Sequence, residues 1–391
     1  MKIGIVGAGT MGAGIALTAL YAGLHVCVYD IMPDALERAR SYITPFLEKK
    51  GLLDRLSRLS TTESLGAMAD REIVIEAALE NRTLKAQLLQ QLETICTATC
   101  IFASNTSTIP IAALANAVTS PGRVIGMHFF NPAPVMKLVE VIRTAQTDPA
   151  VIDSTCALAL TLGKTPILVN DSPGFVVNRV ARPYYLESLH IVSEGLASVE
   201  QVDQALESFG FRLGPFRLMD VIGIDVSLAA SQSIYEATFH EPRFRPSLLQ
   251  QQLVERRYLG RKTGRGFYTY ADESASPTAA IPVLGFDALS DALRNAAGVI
   301  GTENDPVHLA GRVVAQIVNE AAFAVGEQVA DMDSIDVAMR GGINFPFDVF
   351  AWARTFGFDR ITGVLDGLFA HYHEERYRAA PLLRHLSRRA P

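Results

Sequence analysis

The stretch "KIGIVGAGTMGAGIALTALYAG", residues 2 to 23, opens on a continuous apolar run, passes through Gly7, Gly9 and Gly12, and then spaces its apolar residues as a helix does until Gly23 supplies a stop. The order is strand, tight turn, helix. Gly7 permits the sharp turn, Gly9 lets backbone N–H groups approach a pyrophosphate, and Gly12 lets the helix pack closely on the strand. A G-x-G-x-x-G pattern alone is a weak signal, and its bland reading is a glycine turn kept for packing. Here a second apolar strand, "HVCVYD" (25 to 30), follows and ends in Asp30, 18 residues after Gly12, near the spacing of the acid that holds a ribose. A carboxylate there accepts from the ribose hydroxyls and repels a 2′-phosphate, so the stretch predicts a dinucleotide site that prefers NAD to NADP. The competing reading of Asp30 is a helix-cap acid ahead of Pro33.

Further apolar strands are expected at "EIVIEAA" (72 to 78), "CIFASN" (100 to 105) and "RVIGMHFF" (123 to 130), alternating with amphipathic helical stretches such as 83 to 95. This alternation predicts an α/β, Rossmann-type, doubly wound parallel sheet with ligands at the carboxyl ends of its strands. Glu76, Glu80, Ser104, Asn105, Thr106, Ser107 and His128 fall at those ends.

Working outward, the 391 residues exceed what one core usually serves, which implies two or three domains. Lys and Arg number 35 against 41 Asp and Glu, a net charge of −6, with no long single-sign run, so nucleic acid and membrane surfaces gain no support as partners. The N-terminus enters a buried-strand pattern rather than a signal sequence, and charges interrupt every apolar stretch, so the expected location is the cytoplasm. Cys27, Cys96, Cys100 and Cys156 lack C-x-x-C spacing and read as thiols in a reducing compartment. "HYHEE" (371 to 375) reads as a solvated polar helix, and no metal is expected.

"VIGMHFFNPAPVMKLVEVI" (124 to 142) places one histidine and one glutamate in two apolar runs split by Asn131, Pro132 and Pro134. A turn centred on Pro134 would fold the runs back as antiparallel neighbours and set residue 128 opposite 140. Side chains so paired lie about 4.5 to 5.5 Å apart at Cβ, close enough for Glu140 to accept from the His128 ring and fix its tautomer. Hydride removal from an alcohol needs a base for the hydroxyl proton, the reverse needs an acid, and an imidazole can serve as both. A satisfied structural histidine is the alternative.

The chain also resembles the 3-hydroxyacyl-CoA dehydrogenases, including 3-hydroxybutyryl-CoA dehydrogenases. The likeness rests on GAGTMG (7 to 12), IEAALEN (75 to 81), SNTST (104 to 108), GMHFFNPAPVMKLVEV (126 to 141), DSPGFVVNR (171 to 179), GPFRLMDVIGID (214 to 225) and KTGRGFY (262 to 268), in the family's order. The resemblance implies a catalytic set of His128 as acid/base, Glu140 orienting it, Ser107 on the reacting oxygen and Asn178 positioning substrate and histidine. It further implies NAD contacts from Gly7, Gly9, Thr10, Met11, Gly12, Asp30, Glu80, Lys85 and Asn105. From the residues alone, Ser107 could cap the helix near Pro110, Lys85 reads as an exposed helix lysine, and Asn178 could be satisfied by backbone at a helix start.

The family's long helical hairpin after the second strand looks shortened here, in "ARSYITPFLEKKGLLDRLSRLSTTESL", which carries Pro45; Lys49, Lys50, Arg55 and Arg58 either meet CoA phosphates or form a solvated face. The chain also continues beyond a Ser/Ala/Pro-rich linker starting "DESASPTAAIP" (272 to 282). Residues 312 to 339 echo 179 to 206 at an offset of 133, aligning Glu187 with Glu320, Glu194 with Glu327 and Asp203 with Asp336, and "NFPFDVFAWARTFGFDRI" then mirrors "RLGPFRLMDVIGIDV" after a two-residue slip. Asn178 aligns with Gly311. The expected organisation is a nucleotide-binding domain over 1–170, a helical domain over 171–271, a linker over 272–306 and a second helical copy, all-α, over 307–391.

Together these readings predict NAD-dependent interconversion of an (S)-3-hydroxyacyl-CoA and its 3-oxoacyl-CoA, with the helical copies forming an internal pseudo-dimer and the chain a monomer or homodimer. One alternative keeps the chemistry on a carrier-protein-bound acyl group or a free hydroxy or sugar acid. The alternative of another class is a non-catalytic NAD-binding structural or sensor protein.

Overall fold

The computed structural model describes residues 1–271, 274–277 and 306–388. It forms two compact units, 1–175 and 176–391. The greater part of the 272–306 linker lies outside the described residues.

The first unit is one eight-stranded sheet with helices between its strands. Its strands are β1 (Lys2–Val6), β2 (His25–Tyr29), β3 (Leu59–Thr62), β4 (Ile73–Glu76), β5 (Ile101–Ser104), β6 (Val124–Phe129), β7 (Leu138–Arg143) and β8 (Thr165–Asn170), in spatial order β3-β2-β1-β4-β5-β6-β7-β8. Every neighbouring pair is parallel except β6 and β7. The inner strands read as unbroken apolar runs because helices cover both faces of a parallel sheet. Strands β3 and β8 have no such run: β3 is the polar edge strand "LSTT", and β8 carries Pro166 and alternating burial.

Helix α1 (Thr10–Tyr21) is buried on every side from Gly12 to Leu20. Helix α2 (Pro33–Lys49) presents one buried face, Ala35, Leu36, Ala39, Ile43 and Leu47, and continues unbroken through Pro45. No second helical arm follows it. The chain instead makes a 3₁₀ turn at Leu53–Arg58, where the Arg55 guanidinium donates to the Leu20 and Tyr21 carbonyls at 3.1 and 2.5 Å and Arg58 donates to the Gly23 carbonyl. Both cations therefore satisfy the carbonyl end of α1, where the helix dipole favours positive charge. Neither of the two readings left open for these cations, CoA phosphates or a solvated face, includes this role, and Lys50 lies over the Tyr21 ring at 4.0 Å. The unit is completed by α3 (Arg82–Ile95), α4 (Ile111–Ala115) and α5 (Pro149–Thr161).

Among its described residues the second unit is helical apart from a hairpin of β9 (Tyr268–Ala271) and β10 (Ser274–Pro277). It runs α6 (Val177–Val180), α7 (Arg182–Ser193), α8 (Val199–Ser208), α9 (Pro215–Ile222), α10 (Ile224–Ala237) and α11 (Leu248–Glu255), then α12 (Pro306–Gly326), α13 (Met332–Ile343), α14 (Val349–Phe356), α15 (Phe358–Tyr372) and α16 (Pro381–Ser387). The two series correspond in detail. Ser198 caps α8 by accepting from the Gln201 N–H, and Asp331 caps α13 by accepting from the Ser334 N–H. Asp203 accepts from the N–H groups of Phe216 and Arg217, and Asp336 from those of Phe350 and Ala351. Helices α9 and α14 each pass into the next helix through a glycine of positive φ, Gly223 at 104° and Gly357 at 111°. The offset there is 134, so the slip between the series is one residue, correcting the two read from the sequence: the paired glycines and the N–H groups held by Asp203 and Asp336 set the register.

Ion pairs cross between the series reciprocally. Arg179 Nε and Nη2 donate to Glu320 and Glu327 at 2.7 and 2.6 Å, while Arg312 donates to Glu187 and, at 2.9 Å, to Glu194. Each residue meets its counterpart's partner, which is the pattern of a two-fold interface. Tyr372 and Tyr377 hydroxyls donate to Glu194 and Glu187. Helix α15 stops at Tyr372 with His373 in the left-handed region, so 371 to 375 is not the continuous helix expected there. All four cysteines are free thiols.

Candidate active site

At the carboxyl end of β1 the chain turns through Gly7, whose φ is 106° and whose added Cβ would lie 2.6 Å from the Ala77 carbonyl oxygen. A Cβ at Gly12 would lie 1.9 Å from the Gly7 carbonyl oxygen, whereas Gly9 has nothing within 4 Å of that position. Two glycines are thus required by the protein's own backbone, and the third leaves open space. Gly9 caps α1 without a side chain, so the first-turn N–H groups at Thr10, Met11 and Gly12 keep the free donors that suit a pyrophosphate. Asp30 sits beside this turn: its Oδ2 accepts from the Ala8 N–H at 2.8 Å and its Oδ1 from the Met32 N–H at 3.0 Å. The N-cap of α2 is Met32, which removes the helix-cap reading of Asp30. A glycine cradle, free donors and an acid at the end of the second strand fit a dinucleotide.

A second group forms at the ends of β4 and β5. Lys85 is 1% exposed and bonded to the fully buried Glu76 at 2.7 Å, with Glu80 3.4 Å away. It is not the exposed helix lysine that its sequence neighbourhood suggested, because the buried face of α3 begins at it. Glu76 also accepts from the Ser104 hydroxyl at 2.6 Å. Glu80 Oε1 gathers the following turn, accepting from Thr106 Oγ1, Ser107 N, Thr108 N and Thr108 Oγ1 at 2.6 to 3.1 Å. Burial works to raise the Glu80 carboxyl, yet the Thr106 and Thr108 hydroxyls, the Lys85 charge and the Ser107 N–H outweigh it and hold its pKa below the ordinary value. Asn105 Oδ1 accepts from the Phe129 N–H at 2.8 Å, tying β5 to β6. Met11, Glu80, Lys85, Asn105 and Ser107 line one cleft.

The third group is a chain of contacts. Strands β6 and β7 pair His128 with Glu140 directly. His128 Nδ1 lies 2.7 Å from Glu140 Oε2, and Nε2 lies 2.9 Å from Ser107 Oγ. Glu140 is fully buried and His128 is 4% exposed, with the Phe130 and Phe175 rings 4.7 and 5.8 Å from the imidazole. A carboxylate can only accept, so the ring proton belongs on Nδ1 and the Nε2 lone pair faces the Ser107 hydroxyl. Ser107 does not cap α4, whose N-cap is Pro110 without a side-chain bond; Thr106 Oγ1 takes the Thr108 and Ile109 N–H groups instead. Asn178 belongs to the second unit, on α6, and its carbonyl accepts from Arg182 Nε at 2.8 Å. Sequence reasoning placed Glu76, Ser104 and Thr106 at the strand ends but not in these supporting bonds. The available signal was a glutamate inside the apolar run of β4, which requires a buried partner.

The chain matches the 3-hydroxyacyl-CoA dehydrogenase NAD-binding domain over residues 2–172 and the 3-hydroxyacyl-CoA dehydrogenase C-terminal domain over 174–270 and 308–389. It is 36% identical to the 3-hydroxyadipyl-CoA dehydrogenase of Escherichia coli, over 98% of this chain and 96% of that one. Identity to a probable 3-hydroxybutyryl-CoA dehydrogenase of Deinococcus radiodurans is 42%, over 69% of this chain and all of the relative. Among solved structures, the 3-hydroxybutyryl-CoA dehydrogenase of Escherichia coli K12 superposes with a TM-score of 0.91 at 36% identity, covering 99% of this chain and 98% of that one.

Proposed function

Since the chain belongs to the 3-hydroxyacyl-CoA dehydrogenase family, we propose that His128, Ser107 and Asn178 act on the reacting group, with Glu140 positioning His128. The protein is an NAD-dependent oxidoreductase of 3-hydroxyacyl-CoA thioesters and their 3-oxo forms. NAD, when bound, accepts or returns the hydride.

In the oxidation, His128 Nε2 takes the hydroxyl proton as the hydride leaves the same carbon. In the reduction the imidazolium returns that proton to the carbonyl oxygen. Glu140, holding Nδ1–H at 2.7 Å in a buried site, keeps the ring in the tautomer that exposes a lone pair and stabilises the imidazolium that forms. The Ser107 hydroxyl, 2.9 Å from Nε2, donates to the reacting oxygen once substrate displaces that contact. Glu80 and Asn105 hold the turn carrying Ser107 and the end of the strand carrying His128, and Lys85 neutralises Glu76 beneath them. The family resemblance supports Asn178 as the residue that orients the thioester, and the open glycine turn with Asp30 supports NAD over NADP.

The observation that carries this reading is the line Glu140–His128–Ser107, set at the same sheet edge as the glycine turn. A panel of 3-oxoacyl groups on CoA, on pantetheine and as free acids, followed by NADH absorbance, tests it. Turnover confined to thioesters is expected, and activity only on free acids would replace the substrate class. We place the protein in the cytoplasm, in keeping with the absence of any described helix long and apolar enough to cross a membrane. The two helical series read as tandem copies that pair within one chain.

A further inference from the structure

Six lysines and arginines are buried among the described residues, and four of them rest on carboxylates: Lys85 on Glu76, Arg179 on Glu320, Arg312 on Glu187 and Arg376 on Glu194. The other two do not. Arg182 of the second unit donates to the Asn178 carbonyl and the Ser231 hydroxyl within its own helices. Lys164, in the nucleotide-binding unit, is 6% exposed, and its Nζ donates to the Ala133 carbonyl and, at 2.7 Å, to the Met136 carbonyl. Burial draws its pKa down to about 8 with no carboxylate opposing. An enclosed ammonium held by carbonyls alone is expensive on general grounds, so its place calls for a reason.

The backbone delivers Lys164 to that position. Helix α5 ends through Gly163, whose φ is 70°, with the Gly163 and Lys164 N–H groups donating to the Leu160 and Ala159 carbonyls at 2.9 Å. The next residue, Thr165, starts β8 and donates to the Lys137 carbonyl at 2.7 Å. The side chain between these two anchors reaches back to the 131–136 turn, which joins β6 to β7 and so His128 to Glu140. On its other side the same turn lies against α1: a Cβ added at Gly14 would stand 3.3 Å from Ala133 Cβ and 3.4 Å from Pro134 Cδ. Ala133, 2% exposed, shares one apolar cluster with Ala13 and Leu17 of that helix. The turn is therefore braced between the Lys164 ammonium and the helix whose first residues follow the glycine turn.

We propose that Lys164 is a positioning residue: by holding the 131–136 turn against α1, it sets the separation between the glycine turn that takes NAD and the imidazole of His128. The proposal rests on the dehydrogenase reading and on His128 as the proton carrier. The hydride is exchanged at a carbon and the proton at the oxygen bonded to it, so the cofactor ring and His128 Nε2 must stand at a fixed spacing. An error of about 1 Å in such a spacing costs about 10²-fold in rate. A neutral donor would satisfy the two carbonyls at a smaller cost of burial. The ammonium adds a long stem that spans from β8 to the turn, and charge-assisted bonds, which are shorter and stronger than neutral ones and hold the turn more stiffly.

Single turnovers of enzyme-bound NADH with saturating 3-oxobutyryl-CoA, followed by stopped-flow absorbance on the full-length protein, test this. The rate reports the reacting geometry, and the amplitude reports the fraction of sound protein. In Lys164→Met the rate is expected to fall by about 10- to 10²-fold, with the amplitude per folded protein and the KM for the thioester near the parent's. Lys164→Arg, which keeps the charge and the donors, should recover part of the rate. A Lys164→Met variant that loses Tm or amplitude but keeps the parent's rate reduces Lys164 to a structural donor and overturns the proposal. Gly14→Ala presses on the turn from the opposite side, at Ala133 and Pro134, and leaves Lys164 in place. Should Lys164→Met fail to fold, Gly14→Ala decides: a severalfold loss of rate at full amplitude is expected, and a parental rate overturns the proposal. A parent that turns over no 3-oxoacyl-CoA overturns the dehydrogenase reading and this inference together.

Discussion

His128 is joined to Glu140 on one ring nitrogen and to Ser107 on the other, so its removal takes away the proton relay and little else. His128→Ala is expected to lower kcat by about 10² to 10⁴-fold while NAD affinity, read by nucleotide fluorescence, stays near the parent's. A variant with parental kcat would demote the histidine to a packing residue. Glu140→Gln keeps the shape but offers an uncharged partner to a forming imidazolium, and turnover should fall with a changed pH–rate profile; an unaltered profile would rule out that role. Asp30 lies beside the Gly7–Gly12 turn with its carboxylate already bound to the Ala8 N–H. Asp30→Ala should narrow the advantage of NADH over NADPH in kcat/KM, because it removes a ribose acceptor and a phosphate repeller together. Equal use of both cofactors by the parent would refute the preference.

Among the helices, the exchanged pairs between α6–α7 and α12 bury Arg179, Arg312, Glu187 and Glu320, while Glu194 and Glu327 keep contact with water. Arg312→Met leaves Glu187 and Glu194 short of their main counter-ion and is expected to cost about 3 to 5 kcal/mol in urea unfolding, the range for breaking one side of a buried pair. A loss under 1 kcal/mol would mean the network is solvated. Its pH response has a definite sign. Burial, with the Arg376 charge beside it, pushes His190 down to about 4, and against the upward pull of burial Arg312 and Arg376 hold Glu187 at about 2. Both folded values lie below the unfolded ones, so each group adds stability at higher pH that is lost as pH falls, His190 between about 6.5 and 4 and Glu187 between about 4.5 and 2. Asp203, raised to about 7 by burial, acts in the opposite direction, so the useful quantity is a difference between proteins. The stability of the parent relative to His190→Gln should decline as pH drops from 6.5 to 4, and a flat difference would contradict the His190 assignment.

Across the whole chain, the second helical series supplies an apolar and ionic face that single-series relatives of about this chain's first 270 residues lack within one polypeptide. The two series are joined by fewer than 40 residues, which places them at an effective concentration in the millimolar range and favours pairing within the chain over pairing between chains. Truncation after Tyr270 should uncover the α6–α7 face, with Arg179, Glu187 and Glu194, and yield a homodimer or an aggregating protein on size-exclusion chromatography. A truncated protein that stays monomeric and keeps the parent's Tm would show that the second series covers nothing.

Periodicity and glycine spacing were enough to read the strand–turn–helix of residues 2 to 23, the parallel sheet that follows and the fold-back of 124 to 142, because these are local patterns whose geometry follows from chain sterics and burial. The likeness of 312–339 to 179–206 is a pattern of the same local kind, matched apolar and charged positions at one offset. The edge strands β3 and β8 were not legible, since an edge strand buries too little to need an apolar run. Nor were the partners of Lys85, Arg55, Glu80 and Arg182, whose charges look alike in a sequence whether solvated or enclosed. Packing separates them: it encloses Lys85 against Glu76, turns Arg55 onto the end of α1, gathers the Ser107 turn on Glu80, and leaves Arg182 enclosed without a carboxylate. Contacts between residues far apart along the chain depend on which surfaces lose water together, and only the folded chain sets that.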